Sequence, residues 1–349
     1  MTSRLALATL AVGEPMGQQV YERQLAQRAP DELGVGWDVD RIAVRTLRSP
    51  VPGTVRIPSR LLIGASPGLR RAAGRIIYRG HDVVHRFDLR LPPAPHPEVL
   101  TVHDVVSWRF PDEGRPPSDA ATTARRASVV VCPSQFSADE VASQLGVAEP
   151  RAIHNGVDRT FFTAVPLAAD ELEAMGIRTP FVLHAGGCTQ RKNLAGLAAA
   201  WPLVRASHPD TVLVLMGPPD ERRDRLFDPL AGTIRVGRVP DAAVRGVMAA
   251  AAAVVVPSTY EGFGLPALEA MAAGVPVVAA NRSSLPEVCG DAAYLVEPDG
   301  PGLADGLVAA LGGGPDTRAL VDRGRVRAEA FSWEASVAAH AELWRSCVG

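Results

Sequence analysis

Cysteine is scarce in this chain. Its four residues, Cys132, Cys188, Cys289 and Cys347, are far apart and form no C-x-x-C. That spacing excludes a disulfide framework and a cysteine zinc site, leaving reduced, mostly buried thiols of a cytoplasmic protein. Eight histidines form no H-E-x-x-H, so the zinc-protease helix is absent. Charge of one sign is also lacking. The formal net charge of −2 gives no global field to attract nucleic acid. No apolar run approaches the roughly 20 residues of a membrane span. The opening "MTSRLALATLAVGEP" lacks the apolar core and cleavage site of a signal peptide and reads as a first strand. Lysine is rare beside arginine, which matches genomic base bias.

What is present is a folding composition, with 47% hydrophobic and 21% charged residues. At 349 residues the chain exceeds one core of ordinary size, so two domains are expected. Short Val/Leu/Ile runs predict strands at 5–10, 39–43, 83–87, 99–102, 129–132 and 152–154, then at 181–185, 211–216, 233–236, 253–256, 275–279 and 293–296. Helical patterns intervene near 17–28, 60–78, 117–127 and 135–145, then near 192–206, 241–251, 265–273, 302–311 and 316–330, with a last helix at 333–348. Runs that do not alternate with polar residues belong to strands buried on both faces, as in parallel sheets. The βαβα order predicts an α/β protein of two doubly wound Rossmann-like domains. Residues 1–162 form the first, 163–178 a linker and 179–330 the second. The helix at 331–349 is expected to pack back toward the first. Ligands of open α/β sheets bind beyond the carboxyl ends of the strands, so the motifs should sit there.

Residues 258–278 read "STYEGFGLPALEAMAAGVPVV". Glu261 and Glu269 flank a Phe-Gly-Leu-Pro turn just after the strand at 253–256. Pro266 suits a first helical turn, where its missing N–H costs nothing. Gly264 lets a ligand approach the backbone. N–H groups of Phe263, Gly264 and Leu265 then present the positive end of a helix to a phosphate. Two carboxylates beside a diphosphate would be repelled unless they accept hydrogen bonds from sugar hydroxyls. Each glutamate alone is better read as a surface or first-turn residue; both with this turn are not. A second element follows the strand at 181–185: Gly186-Gly187, then "CTQRKN". Arg191 and Lys192 supply two cations for a diphosphate. Read instead as solvated first-turn residues, they would sit at the unfavourable end of a helix dipole.

These stretches carry a resemblance. "EGFGLPALEAMAAGVPVVAANRSSLPEVCGDAAYLVEP" is similar to the donor-site signature of retaining GT-B glycosyltransferases of family 4, whose core is E-x7-E. "TVHDVVSWRFP", "VPSQFSADEV", "HNGVD", "GGCTQRKN", "VGRVPDAAV" and "AEAFSWEAS" follow the family's order between about 99 and 337. The resemblance implies a GT-B fold, with the two domains facing a central cleft. It implies transfer of a hexose-type sugar from a nucleotide diphosphate sugar to an acceptor hydroxyl, with retention and without metal or other cofactor. It assigns Glu261 to the donor sugar, Glu269 to the ribose hydroxyls and Arg191 and Lys192 to the diphosphate. Gly187 belongs to that phosphate turn, the backbone around Arg238-Val239 meets the base, and Phe263, Gly264 and Leu265 offer N–H groups. His103, after the strand at 99–102, takes part in transfer; without the resemblance it reads as a structural histidine at a strand end. Gly13 and Gly17 resemble the family's glycine-rich loop, but Gly13-Glu14-Pro15 replaces its adjacent glycines.

A dinucleotide-dependent oxidoreductase would also suit two such domains, but no G-x-G-x-x-G follows the first strand. A catalytically silent nucleotide-sugar-binding module and a nucleotide-sugar epimerase on this fold stay open. Asp38-Val39-Asp40 spells D-x-D, a metal motif of another glycosyltransferase fold, and is taken as accidental. Donor base, sugar and acceptor are not readable; the acceptor could be a glycan, a small molecule or lipid-linked. Arg71, Arg75 and Arg79 recur at helical spacing, with Arg70 beside them and Leu69, Ala72, Ala73, Ile76 and Ile77 around them. Such a helix could rest peripherally on the inner face of an anionic membrane. The preferred alternative packs its apolar side on the sheet and leaves the arginines solvated.

Overall fold

The computed structural model describes residues 2–13, 17–95 and 97–348. It divides into two compact units, residues 1–156 with 333–349, and residues 157–332. Glu14 and Pro15 of the expected glycine-type loop lie outside the described residues.

Unit 1 holds β1 (Ser3–Leu10), β2 (Trp37–Thr46), β3 (Val55–Ile57), β4 (Val83–Arg86), β5 (Glu98–Thr101), β6 (Val129–Cys132) and β7 (Arg151–Ala152), with helices between most of them. Every pairing is parallel, in the order β3-β2-β1-β4-β5-β6-β7. The strand order reverses between β1 and β4. β3 was not expected: Val-Arg-Ile is short, lies among prolines and alternates in burial as edge strands do.

The final helix, Trp333–Ser346, belongs to this unit and packs with Tyr21, Leu25 and Val83. A hydrogen-bond chain fixes it. Trp344 Nε1 donates to His85 Nδ1 at 3.1 Å, so the His85 proton sits on Nε2, 2.7 Å from Thr101 Oγ1. Thr101 then donates to Tyr21 Oη at 2.9 Å. Tyr21 donates to His340 Nε2 at 2.7 Å, and His340 Nδ1 donates to Ser336 O at 2.7 Å. Every donor in the chain has an acceptor, which is what a buried polar network requires. Both imidazoles are neutral: burial lowers His340 to about 4 and His85 well below its ordinary value.

The basic helix differs from the sequence reading in its bounds and in part of its facing. It spans Pro67–Ile77, with Ser66 as N-cap and Pro67 in the first turn, while 59–61 is a separate short turn. An interior proline removes a helical hydrogen bond and crowds the preceding turn, and here the helix begins at Pro67 rather than running through it from residue 60. Arg71, Arg75 and Arg79 are exposed, as the preferred reading had them, but the rest of the facing departs from it. Arg70 is buried, bonded to Asp119 Oδ2 at 3.0 Å and to the carbonyls of Leu61, Leu62, Leu89, Arg90 and Leu91. Leu69 and Ile76 are exposed instead. A buried guanidinium is tolerable when its donors are filled. Gly74 lets the helix sit directly on the chain below, since a Cβ there would lie 1.8 Å from Pro93 O.

Unit 2 holds β8 (Phe181–Ala185), β9 (Val212–Met216), β10 (Thr233–Gly237), β11 (Ala253–Val256), β12 (Val277–Ala280) and β13 (Tyr294–Val296). They are parallel, in the order β10-β9-β8-β11-β12-β13. The order reverses between β8 and β11. β9, β11 and β12 are buried throughout, whereas the edges β10 and β13 are half-buried. Residues 163–178 are not a free linker. They include the helix Ala169–Ala174, and Leu172 and Ile177 join Val157 and Phe161 in the unit's core. The chain enters this unit at Val157 and leaves it at Ser332, earlier and later than expected; the two residues form a parallel bridge. Asp40 of the D-x-D is held by Arg4 Nη2 at 2.7 Å and His81 Nε2 at 2.9 Å in unit 1.

Candidate functional site

The reversal between β8 and β11 is where an open α/β sheet binds its ligand. Two loops leave the sheet side by side there. The loop after β8 runs through Gly186 and Gly187 into a short turn at Gln190–Lys192. Asn193, at φ 50°, then caps the helix Leu194–Ser207. Its Oδ1 accepts from Gly196 N at 3.3 Å, while Nδ2 donates to Pro257 O at 3.0 Å and Pro298 O at 2.6 Å. One side chain thus ties the first loop to the second. Arg191 and Lys192 precede the cap, so they lie outside the helix rather than in its first turn.

Their counter-charge is Glu261. Arg191 Nη1 donates to Glu261 Oε2 at 2.9 Å and Lys192 Nζ to Oε1 at 2.6 Å. All three side chains are largely buried. Burial alone would raise the Glu261 carboxyl, but Lys192 and Arg191 overcome it and hold it down to about 2. Glu261 N donates to Ser283 Oγ at 2.9 Å. Ser284 Oγ lies 2.9 Å from Glu261 O and 2.8 Å from Phe263 O, bridging the two carbonyls.

The turn between the glutamates behaves as expected. Gly264 has φ 106° and caps the helix Leu265–Ala272, with Pro266 in its first turn. A Cβ on Gly264 would meet Leu285 Cδ2 at 2.8 Å, and the positive φ excludes most residues besides. Among the described residues, the N–H groups of Gly264 and Leu265 have no acceptor. Phe263 turns its ring into the core, edge-on to Phe331 at 5.8 Å. Glu269 is half-buried, and among the described residues its carboxyl has no hydrogen-bond partner. Burial, then the nearby Asp158 charge, raises it to about 8. Arg238 and Val239 follow β10, two strands from β8; Arg238 is exposed and Val239 packs on the core.

Gly186 and Gly187 differ. Gly186 is clamped: Arg223 Nη2 donates to its carbonyl at 2.6 Å, and a Cβ on Gly217 would lie 2.1 Å from that oxygen. Around Gly187 a Cβ would meet no protein atom within 4 Å. Arg223 is buried. Buried His184 in β8 is lowered to about 3 by burial and by the Arg223 and Lys192 charges. Arg223, His184, Asn193, Ser283 and Ser284 were not singled out from the sequence. Asn193 before an apolar helix is a legible cap signal. A stronger signal was composition: Lys192 is the single lysine in 349 residues.

In unit 1, His103 lies two residues beyond β5. Tyr21 meets it edge-on, with ring centroids 4.9 Å apart. Burial lowers it to about 4, and its buried Nε2 has no hydrogen-bond partner among the described residues. Gly13 is exposed, and a Cβ there would make only an ordinary contact with Val51, at 3.6 Å. Gly17 begins the helix Gly17–Leu33.

Residues 172–312 match the glycosyl transferases group 1 and residues 17–161 match Glycosyltransferase Family 4. The chain is 30% identical over 283 residues to O-antigen chain mannosyltransferase B of Escherichia coli, covering 72% of this chain and 71% of that protein. Several other curated relatives match over less of their length, one over 25%. The sucrose-phosphate synthase of Thermosynechococcus elongatus superposes with a TM-score of 0.77 at 24% identity, covering 99% of this chain and 98% of that one. Anabaena HepE, solved with UDP and glucose, superposes with a TM-score of 0.75 at 18% identity, covering 99% and 100%. These likenesses give both units the GT-B type of Rossmann-like fold.

Proposed function

The chain belongs to the group 1, family 4 glycosyltransferases, and from that premise we propose that it is a retaining, metal-independent enzyme using a nucleotide diphosphate sugar. The hexose-type sugar passes to an acceptor hydroxyl. One observation carries the reading: Arg191 and Lys192 converge on Glu261 at the reversal point of the second sheet. Two cations need a counter-anion in a largely buried place, and Glu261 supplies it when no donor is present. The diphosphate of a donor offers a second one.

In this reading the diphosphate lies against Arg191, Lys192 and the N–H groups at Phe263, Gly264 and Leu265. Open space at Gly187 admits its oxygens to the backbone, as glycine permits. Glu261 turns to hydroxyls of the sugar. Glu269 accepts from the ribose hydroxyls, which would give its unpartnered carboxyl a bonding role. The backbone at Arg238-Val239 meets the base. Clamping of Gly186 by Arg223 fixes the turn on which the two cations are mounted.

The reaction breaks the bond from sugar C1 to the diphosphate oxygen through an oxocarbenium-like state. Negative charge grows on the leaving oxygen, where fixed cations and a helix N-terminus stabilise it most. The departing oxygen takes the acceptor's proton on the same face, and the acceptor oxygen bonds C1 with retention. His103 takes part in transfer through its neutral imidazole, which burial keeps free of charge. UDP in the HepE complex supports a uridine donor as the first to be tried here.

The test is a thermal-shift panel of UDP-, GDP-, dTDP- and ADP-sugars. Binding raises the midpoint by mass action. The donor so found is then used in transfer with excess EDTA, and the product's anomeric configuration is read by NMR. An inverted product or an absolute metal requirement would contradict the proposal.

A further inference from the structure

Unit 1 contains a small cavity, of about 260 Å³. Pockets for drug-sized ligands begin near roughly 300 Å³, so this one takes a small ligand. It lies between the helices Pro67–Ile77 and Ala120–Arg126 and is lined by Arg71, Arg75, Arg126, Thr122, Asp119 and Glu98, among others. Glu98 is the first residue of β5. The cavity therefore borders the amino end of that strand, not the carboxyl end beyond which His103 lies.

The charges around it do not balance. Glu98 is paired with buried Arg86, and Asp119 with buried Arg70. Both floor carboxylates are thus neutralised from behind. On the rim, Arg71, Arg75 and Arg126 are exposed, and none has a partner among the described residues. Three positive charges remain unanswered around one small concavity. Like charges brought together without a counter-charge repel, and the seating of Gly74 against Pro93 holds the first two in place. The floor carries a different vacancy. Asp119 Oδ1 is buried and has no hydrogen-bond partner, although Oδ2 of the same group is bonded. A buried acceptor left unmade is costly.

The rim calls for an anion and the floor for a donor. We propose that this cavity binds a phosphate ester of a polyol, its phosphate held by Arg71, Arg75 and Arg126 and a hydroxyl donating to Asp119 Oδ1. Arginine suits phosphate through its planar fork of donors. The ester could be a soluble metabolite or the headgroup of a lipid, and the experiment separates the two.

Calorimetric titration of the full chain would use glycerol phosphate and inorganic phosphate. Co-sedimentation would use phosphatidylcholine vesicles with and without phosphatidylglycerol. The variants are Arg71→Gln with Arg75→Gln, and Arg126→Gln alone; all three side chains are exposed, so an unchanged Tm is expected as the folding control. Glycerol phosphate should bind more tightly than inorganic phosphate. Each variant should weaken it roughly tenfold or more, with affinity for nucleoside diphosphates unchanged. Pelleting that needs phosphatidylglycerol and the arginines assigns the phosphate to lipid. Soluble binding without pelleting assigns it to a free ester. Equal affinity for the two phosphates would overturn the role of Asp119. No binding of glycerol phosphate or of anionic vesicles, or binding that survives both variants, would overturn the site.

Discussion

Lys192 Nζ donates to Glu261 Oε1 at 2.6 Å across 69 positions of sequence. The carboxylate assigned to the donor sugar is the one that neutralises the cations assigned to the diphosphate. Under the proposed function, donor binding is an exchange of partners. Glu261→Gln should lose transfer by roughly 10- to 100-fold, since hydrogen bonds to charged groups are worth about 1.5–3 kcal/mol. Affinity for the nucleoside diphosphate should stay within a few-fold or tighten, because the internal competitor is gone. Steady-state kinetics beside calorimetry would check both, and near-wild-type turnover would sink the role.

Under the proposed function, Glu269 sets stability against binding. Its folded value is about 8 against an ordinary 4.5. Between those limits the folded protein keeps a proton that the unfolded chain has lost, so the group withdraws stability as pH rises through the window. Glu269→Gln, neutral throughout, should match wild type near pH 4.5 and melt higher at pH 8, by roughly 2–4 °C for each 1 kcal/mol. It should also bind nucleoside diphosphate more weakly. A Tm difference that does not change with pH would contradict the first part, and unchanged affinity the second.

The chain of bonds from Trp344 to Ser336 makes an opposite prediction at acid pH. His340 falls to about 4 when folded, from roughly 6.5 unfolded. The unfolded chain binds the extra proton first, so the stabilisation is complete above about 6.5 and is lost as pH falls toward 4. His85, lowered by the same burial, acts in the same direction. Tyr21→Phe should leave His340 Nε2 without its donor and cost about 1–3 kcal/mol. Urea unfolding followed by the fluorescence of Trp333 and Trp344 would detect it. An unchanged transition would mean that the network does not hold the helix.

Much of the fold was legible because of burial on both sheet faces. β9, β11 and β12 are uninterrupted apolar runs, β8 is broken only by His184, and no helix pattern competes with them. Edges were less legible: β3 was missed because an exposed arginine sits within a three-residue strand. In the helix Pro67–Ile77 the exposed Arg71 and Arg75 were legible and the buried Arg70 was not, since periodicity counts every arginine as a surface residue. Arg70 is internal because Asp119 and five carbonyls, none near it on the helix, fill its donors. In the site, the types and order of the residues could be read, but not their pairing. That Arg191 and Lys192 meet Glu261 follows from β8 lying beside β11, with β9 and β10 displaced to the other side.

Lys192→Arg should be harmful despite the retained charge. Lysine is a compact ammonium, whereas a guanidinium is broad and planar. The chain uses arginine at every other basic position, so a lysine here marks a demand for the smaller group. Transfer should fall while Tm holds within about 2 °C; full activity of the variant would remove that demand.

The central claim is that Arg191 and Lys192 bind the diphosphate of the donor. It is tested most directly by titrating Lys192→Ala with a nucleoside and its diphosphate, using the base that the wild-type panel selects. The account predicts roughly tenfold or greater loss of affinity for the diphosphate and an unchanged affinity for the nucleoside. Equal affinity of variant and wild type for the diphosphate would contradict it.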